Sequence, residues 1–462
     1  MENEARLAAR AEVAELIKKA RAAMAEFENY DQAKTDEIVR AIGKYVYDNA
    51  EYLAKRAVEE SRMGVYEDKV GKCRGKSKMI WNSMKGKKSI GIIDEDPVTG
   101  IIKVAKPKGV VCAVTPVTNP VVTPMCNAMF ALKGHNAIIV APHPTVKKLN
   151  FELVEKLREV LAGLGAPVDL IQTVEEPTLE MSAEMMSQAD QVVATGGSGM
   201  VKAAYSSGTP AHGVGPGNVQ VIVDRGVDLD AAAKKIIAGR IFDNGIICSG
   251  EQCVFFPREL YDEGVAAFKA NGAYYIDNKE DVAKFAEAIF PNGGPISRKV
   301  VGQSVQKVAE VAGVEVPEGT RMILLSPRCI GKEEPLCREK MCPVMIAWPY
   351  DTFEEAVELA QTDLDIEGRG HTTALHSNDI EHVKYAGEHL TVSRLIVNQT
   401  SSTGAGGSLY NGFNPTTTLG CGSWGNNSLS ENLTWTHLIN VSQIGQFMEG
   451  RKVPTDEEIW AE

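Results

Sequence analysis

The alternation of short apolar runs with helical segments between residues 109 and 226 is the feature that most constrains the fold. Each run has the length of a buried strand, and a stretch with room for a helix separates it from the next; the runs read GVVCAVTP, NAIIVAPHP, VDLIQTV, QVVATGG and VQVIVD. This pattern is typical of a doubly wound α/β sheet, in which helices join parallel strands. Because ligands of such sheets bind at the carboxyl ends of the strands, the polar tips of these runs are the predicted binding region.

The rest of the chain predicts two interleaved α/β domains. Residues 4–85 have helical periodicity. Residues 89–107 form two β-rich runs around a turn, which indicates a protruding hairpin of the kind that contacts another copy of the chain. A second α/β unit covers residues 227–420. We assign residues 1–226 to the first domain and expect the tail, residues 421–462, to contribute to that domain and to oligomerisation.

Charge and composition argue against several function classes. The 462-residue chain has a formal net charge of −12 and no long Lys/Arg run, which argues against nucleic acid as a partner. No stretch approaches the roughly 18 apolar residues that a membrane span requires, and the first residues lack the apolar core of a signal peptide. The nine cysteines include no Cys-x-x-Cys pair, which argues against a zinc site or a disulfide framework. We therefore expect a cytoplasmic protein without a metal site.

The stretch FDNGIICSGEQCV, residues 242–254, places two cysteines five positions apart after an Asn-Gly break. Cys253 lies in the apolar run CVFF and is interpreted as a core thiol, whereas Cys248 lies in the loop before that run. A loop thiol can be exposed and activated by nearby backbone N–H groups, although a free cysteine is more often simply buried. A redox pair is a third interpretation.

Other candidate residues are weak one by one. Asn119, at the end of a predicted strand, could donate to an oxyanion or merely make a turn before Pro120. The turn ATGGSG, with Gly196 and Gly197, could hold a pyrophosphate at a helix start, but it is not GxGxxG. Glu339 reads alone as a surface carboxylate, and the loop GVGPGN, residues 213–218, reads alone as structural.

Taken together and in this order, these motifs resemble the aldehyde dehydrogenases from about residue 5 to residue 450. The resemblance implies a Rossmann-type cofactor domain and an α/β catalytic domain. It also implies that Cys248 is the catalytic nucleophile and that the side-chain amide of Asn119 stabilises the oxyanion. A nicotinamide cofactor is implied as well, with these binding residues: Thr115, Pro116, His143, Pro144, Gly196, Gly197, Gly213, Val214, Gly215 and Glu339.

One motif departs from the hydrolytic members of that family. They carry Glu-Leu-Gly-Gly where this chain has Gly213-Val214-Gly215-Pro216, so the glutamate that serves as general base is missing. Without a base to activate water, an acyl group on the cysteine waits for a thiol acceptor, and the chain resembles the CoA-acylating branch of the family. Glu251, three residues beyond Cys248, could replace the base, but we favour a structural role because acylating relatives carry a glutamate there too.

Four segments look most like the CoA-acylating succinate-semialdehyde dehydrogenases; they read MGVYEDKVGKCRGKS, NPVVTPMCNAMFALKG, GHTTALHSND and TLGCGSWGNNSLSENLTWTHLINVS. This likeness implies reversible oxidation of succinate semialdehyde to succinyl-CoA. Enzymes for sulfoacetaldehyde or acetaldehyde share the catalytic motifs and are alternatives, as is a non-catalytic member of the fold. Arg369, His371 and Arg394 are candidate partners of a substrate carboxylate, although ion pairing or loop anchoring is the better interpretation of each.

The choice of nicotinamide cofactor stays open at this point. After the NAIIVAP run there is no acidic residue that would repel a ribose 2′-phosphate, and Lys147 and Lys148 lie close by. We therefore expect NADP or NAD as cofactor and coenzyme A as co-substrate. The predicted hairpin favours a homodimer or a homotetramer.

Overall fold

A computed structural model describes residues 4–462, which fold around three β-sheets. Four helices come first: α1 (Glu4–Phe27), α2 (Gln32–Asp48), α3 (Ala50–Ser61) and α4 (Tyr66–Met84). Helix α2 begins after Asp31, whose carboxylate accepts a hydrogen bond from the backbone N–H of Lys34 at 2.8 Å. The predicted helical layer is thus confirmed.

The predicted hairpin is formed by two antiparallel strands, β1 (Gly91–Asp96) and β2 (Ile101–Pro107). Asp96 fixes the turn, since its carboxylate accepts hydrogen bonds from the backbone N–H of Val98 and the hydroxyl of Thr99 at 2.8 and 2.7 Å. The hairpin is therefore confirmed as a local structure.

The first α/β unit is a parallel sheet of five strands: β3 (Val110–Val114), β4 (Ala137–Ala141), β5 (Ile171–Thr173), β6 (Gln191–Thr195) and β7 (Ala211–Val214). Their order across the sheet is β5-β4-β3-β6-β7. The strands alternate with helices α5 (Val122–Lys133), α6 (Lys147–Gly163), α7 (Leu179–Gln188) and α8 (Ser198–Tyr205). Nearly every strand residue is buried, as expected for a parallel sheet covered on both faces. The predicted doubly wound α/β sheet is confirmed.

The second α/β unit is a parallel sheet of seven strands: β8 (Val219–Val223), β9 (Glu251–Pro257), β10 (Ala273–Ile276), β11 (Met322–Leu325), β12 (Val344–Tyr350), β13 (Gly370–His376) and β14 (Val392–Val397). Their order is β10-β11-β12-β9-β8-β13-β14. The helices of this unit are α9 (Leu229–Ile241), α10 (Tyr261–Ala270), α11 (Lys279–Ile289), α12 (Val305–Ala312), α13 (Phe353–Ile366), α14 (Ile380–His389) and α15 (Ser401–Gly404).

Strand β8 corrects the predicted domain boundary at residue 226. It corresponds to the run VQVIVD, which we had assigned to the first unit, but it pairs with β9 and β13 in the second sheet. A largely apolar run fits the middle of either parallel sheet, so its composition does not specify a partner. The change of sheet occurs in the loop between β7 and β8, residues 215–218.

The C-terminal tail returns to the first unit. Its leucines Leu429, Leu433 and Leu438 pack in the hydrophobic core of that unit, and strand β15 (Ile439–Gly445) pairs antiparallel with β2. A short helix, α16 (Asp456–Trp460), follows. The tail thus packs against the first unit.

Among residues 4–462, no helix has both the length and the apolar content needed to cross a membrane.

Candidate active site

Cys248 lies in a turn between α9 and β9, where the chain changes direction sharply. The 3₁₀ turn Phe242–Gly245 holds Asp243 and Asn244 in the left-handed region, with φ angles of 52° and 53°. Asp and Asn tolerate this region better than most residues. The carboxylate of Asp243 anchors the turn, because it is buried and accepts a hydrogen bond from the backbone N–H of Val65 at 2.8 Å. The anchored turn leaves Cys248 half-exposed three residues before β9 begins.

Cys248 and Asn119 line one cavity of about 270 Å³. Asn119 comes from the loop between β3 and α5 in the first α/β unit, whereas Cys248 comes from the second. Helix α4 and the segment after β14 complete the wall, with Lys72, Lys76, Ser402 and Thr403 among the lining residues. No aspartate, glutamate or histidine of residues 4–462 belongs to the lining. The cavity therefore joins a thiol and an amide in surroundings that lack a carboxylate or imidazole base.

The amide of Asn119 is oriented by Lys72. The ammonium of Lys72 donates to Oδ1 of Asn119 at 2.8 Å and to the carboxylate of Asp243 at 2.5 Å. Because an ammonium group can only donate, the oxygen of the amide must face Lys72, and its NH₂ group is left for another acceptor. Lys69 also pairs with Asp243, at 2.9 Å. The two lysines hold the pKa of the Asp243 carboxyl below its usual range, although burial alone would raise it.

The glycine loop after β7 lies directly against the nucleophile candidate. A Cβ atom on Gly217 would stand 1.8 Å from the backbone carbonyl oxygen of Cys248, so only glycine fits between them. The backbone of Gly217 also lowers the pKa of the Glu339 carboxyl. Burial and the neighbouring Glu367 raise the pKa of Glu339 to about 8. The loop thus connects Glu339 with the backbone of Cys248.

Burial raises the pKa of the Cys248 thiol to about 12, and the negative charge of Glu339 adds to that rise. The positive charge of Arg394 lowers the pKa but does not offset burial. A raised thiol pKa favours the neutral form, so in the protein alone Cys248 is protonated at neutral pH.

We expect the alkylation rate of Cys248 by iodoacetamide to rise about tenfold per pH unit from about pH 7 to pH 10, without a plateau, because only the thiolate reacts. Free cysteine, with an ordinary pKa near 8.5, should level off above about pH 9 and serves as the control. Peptide mass spectrometry measures the labelled fraction at Cys248. A plateau below about pH 9 would contradict the raised pKa.

The predicted cofactor residues of the first unit lie along one edge of its sheet. Because β3, β4, β6 and β7 are parallel, the residues that follow them share the carboxyl edge: Thr115, Pro116, His143, Pro144, Gly196, Gly197 and Gly215. Gly197 directly precedes α8, and a Cβ atom on Gly197 or Gly215 would meet no atom within 4 Å. Open space at a helix N-terminus suits a phosphate group, so this edge fits a dinucleotide. None of these residues lines the cavity of Cys248.

The motif GVGPGN is not wholly a loop. Gly213 and Val214 end strand β7, and the backbone N–H of Gly213 donates to the hydroxyl of Tyr205 at 2.9 Å. A Cβ atom on Gly213 would stand 2.9 Å from Tyr205 and from Val201 of α8. Short strands rich in glycine carry little β signal, which explains why the sequence did not reveal β7.

The three basic residues considered for a substrate carboxylate, Arg369, His371 and Arg394, lie outside the cavity lining. Arg394 is buried and donates to the backbone carbonyls of His371 and Gly420, both at 2.8 Å. Arg369 forms an exposed ion pair with Asp365 at 3.5 Å. These contacts fit the anchoring roles that the sequence favoured.

Sequence reasoning missed the lysines of α4. Lys72 and Lys76 are four residues apart in KVGKCRGK, and each directly follows a glycine, so both face the same side of the helix. Two lysines four residues apart, each beside a glycine, were the available signal for a buried basic face. Such a signal is weak, because a basic segment of a helix usually faces solvent. Ser402 and Thr403, in α15, carried no signal of their own.

Two residues near Cys248 have structural surroundings. Glu251 is buried and accepts a hydrogen bond from the backbone N–H of Ser401 at 2.7 Å, which fits the predicted structural role. Burial raises its pKa to about 8. Cys253 packs in the hydrophobic core of the second unit, as predicted. All nine cysteines are free.

Comparisons with known proteins identify the family of the chain. The profile described as "Aldehyde dehydrogenase family" matches residues 3–435. The chain is 58% identical over 448 residues to a succinate-semialdehyde dehydrogenase (acetylating) of Clostridium kluyveri, covering 97% of this chain and 98% of that one. It is 40% identical to a sulfoacetaldehyde dehydrogenase of an Acholeplasma species, over 96% and 93% of the two chains. A crystal structure of an acetylating aldehyde dehydrogenase from Geobacillus thermoglucosidasius has a TM-score of 0.93 and 36% identity, with 98% and 100% of the chains covered. The chain belongs to the aldehyde dehydrogenase family.

Proposed function

We propose that this protein is a CoA-acylating aldehyde dehydrogenase that converts succinate semialdehyde and CoA to succinyl-CoA, reversibly, with NADP or NAD. One observation carries the acylating part: the cavity that holds Cys248 and Asn119 contains no carboxylate or imidazole among its lining residues. An acyl group on Cys248 would therefore lack a carboxylate or an imidazole that activates water, and a thiol can displace it instead.

In the proposed cycle, the thiol of Cys248 releases its proton to solvent, and the thiolate sulfur attacks the aldehyde carbon. The NH₂ group of Asn119 and the backbone N–H of Cys248 donate to the oxyanion that develops. The nicotinamide cofactor, when bound, supplies the hydride acceptor. Cys248 then holds a thioester, which the CoA thiol cleaves, so that the acyl group leaves as acyl-CoA and the thiol of Cys248 is restored.

The cofactor is proposed to lie along the carboxyl edge of the first sheet. Gly196 and Gly197 would hold its pyrophosphate at the start of α8, where a phosphate gains from the unpaired backbone N–H groups. Glu339, connected to Gly217, would bind the nicotinamide ribose. Thr115, Pro116, His143, Pro144, Gly213, Val214 and Gly215 complete the proposed site.

The substrate proposal is supported by the 58% identity to the C. kluyveri enzyme, against 40% for the sulfoacetaldehyde dehydrogenase. We expect nicotinamide reduction with succinate semialdehyde to depend on CoA and to exceed in kcat/KM the rates with sulfoacetaldehyde, acetaldehyde and butyraldehyde by at least about tenfold. Absorbance at the reduced-nicotinamide band, with and without CoA, measures both. CoA-independent turnover would contradict the acylating proposal, and a preference for another aldehyde would contradict the substrate.

We also propose a homodimer or homotetramer built through the hairpin sheet. The three strands of this sheet expose Ile92, Val441 and Ile444, an apolar set that solvent does not favour. Light scattering that gives a solution mass of one 50.0 kDa chain would contradict this proposal.

The nine free thiols suit a reducing compartment, so we propose a cytoplasmic location, which cell fractionation tests.

A further inference from the structure

Lys76 lines the cavity and, unlike Lys72, has no carboxylate partner among the described residues. Lys72 and Lys69, on the same helix, both pair with Asp243, whereas no ion pair of Lys76 occurs among residues 4–462. Its ammonium makes one hydrogen bond, to the backbone carbonyl of Gly406 at 2.7 Å. Since an ammonium carries three donors, two are left for a ligand in the cavity.

The close approach of Gly406 makes room for the side chain of Lys76. A Cβ atom on Gly406 would stand 2.6 Å from the Lys76 nitrogen, so glycine at this position leaves room for the ammonium group. Burial lowers the pKa of Lys76 to about 8, because the charge is removed from water without a compensating anion. An arriving anion would supply that compensation.

Hydroxyl groups lie around the same part of the cavity. Ser402 and Thr403 line it together with Lys76, and the Ser402 hydroxyl has no hydrogen-bond partner among the described residues. A buried polar atom without a partner costs free energy unless a ligand or water satisfies it. An ammonium and a free hydroxyl in one cavity are a combination that binds a carboxylate.

We infer that Lys76, assisted by Ser402 and Thr403, binds the terminal carboxylate of the aldehyde substrate while Cys248 attacks its other end. This inference rests on the proposed function and assigns the residue that selects a four-carbon semialdehyde over neutral aldehydes. Lys76 and Cys248 both line the same cavity of about 270 Å³, which is the size of site that one small substrate would span. Lys72 is less suited to this role, because Asp243 balances its charge and Asp243 and Asn119 take two of its three donors.

The variant Lys76→Met removes the charge and keeps most of the side-chain length. We expect it to lower kcat/KM for succinate semialdehyde by about 10- to 100-fold and for butyraldehyde by less than about threefold, since only the former offers a carboxylate. Lys76→Arg should recover part of the loss. Lys78→Met, an exposed lysine of the same helix outside this cavity, is the matched control and should stay within about twofold for both substrates.

Equal losses of kcat/KM for both aldehydes would overturn the inference, because Lys76 would then act on the chemical step. An unchanged kcat/KM with succinate semialdehyde would overturn it too. A sulfonate shares the anionic chemistry, so sulfoacetaldehyde is measured alongside; if the wild type prefers it, the carboxylate assignment fails. Absence of CoA-dependent turnover by the wild type would be a failure of the proposed function alone.

A binding measurement decides the inference without turnover. Succinate, which carries the same terminal carboxylate, should slow alkylation of Cys248 by iodoacetamide at least about fivefold in the wild type and in Lys78→Met. The protection should disappear in Lys76→Met, with thermal unfolding confirming that the variant is folded. Equal protection in all three proteins, or no protection in the wild type, would overturn the inference.

Discussion

The variant Cys248→Ala is expected to lose at least about 10⁴-fold in kcat for CoA-dependent aldehyde oxidation, because the residue that forms the covalent intermediate is gone. No other cysteine lines the cavity among the described residues, so no thiol there can take its place. Reduced nicotinamide formed with succinate semialdehyde and CoA measures the loss. The half-exposed Cys329 lies outside the cavity, and Cys329→Ala is the control, with activity expected within about twofold.

The wild-type protein gives a second readout of the same chemistry. With aldehyde and oxidised cofactor but no CoA, we expect a burst of about one reduced cofactor per active site, followed by a much slower rate. The Cys248 peptide should then carry one succinyl group, which CoA removes. Continuous turnover without CoA, or residual activity of Cys248→Ala above about 1%, would contradict the role of Cys248.

Much of the fold follows from the sequence because parallel α/β sheets leave a periodic signal. The runs that became β3 and β4 are apolar throughout, and that of β6 is apolar between its two terminal residues, since both faces of the sheet are covered. Which sheet a strand joins is a different question: VQVIVD looks like the others, yet β8 pairs with β9 and β13. Pairing depends on contacts far along the chain, and residue identity within the strand does not encode them.

The candidate site was also predicted only in part from the sequence. Cys248, Asn119 and the 213–218 loop were found from motifs, but each motif alone had a likelier structural interpretation. Their proximity depends on tertiary structure: Gly217 lies against the carbonyl of Cys248, and Asn119 reaches the cavity from the other unit. Lys72 and Lys76 were missed because a lysine on a helix is normally solvated, and only the packing of α4 against both units buries them.

Removal of the side-chain amide of Asn119 is expected to cause the second large loss of activity. Asn119→Ala should lower kcat/KM by about 10²- to 10³-fold, the usual cost of one lost oxyanion donor. Asn119→Asp keeps the shape and the contact with Lys72 but replaces the donor by a negative charge, so we expect a loss at least as large. Steady-state rates with succinate semialdehyde and CoA measure both variants. An Asn119→Ala rate within about twofold of the wild type would contradict the oxyanion role.

Lys72 allows a sharper test of how that amide is held. Lys72→Met frees Oδ1 of Asn119, so we expect this single variant to lose about tenfold or more in kcat/KM relative to the wild type. Added to Asn119→Ala, the same change should cost almost nothing, because no amide is left to orient. Lys69→Met is the matched control: it removes the other ion pair of Asp243 without touching Asn119. Comparable thermal destabilisation of the two lysine variants, with activity lost only in Lys72→Met, would separate orientation of the amide from stability. Additive losses in the double variant would instead mean that Lys72 acts independently of Asn119.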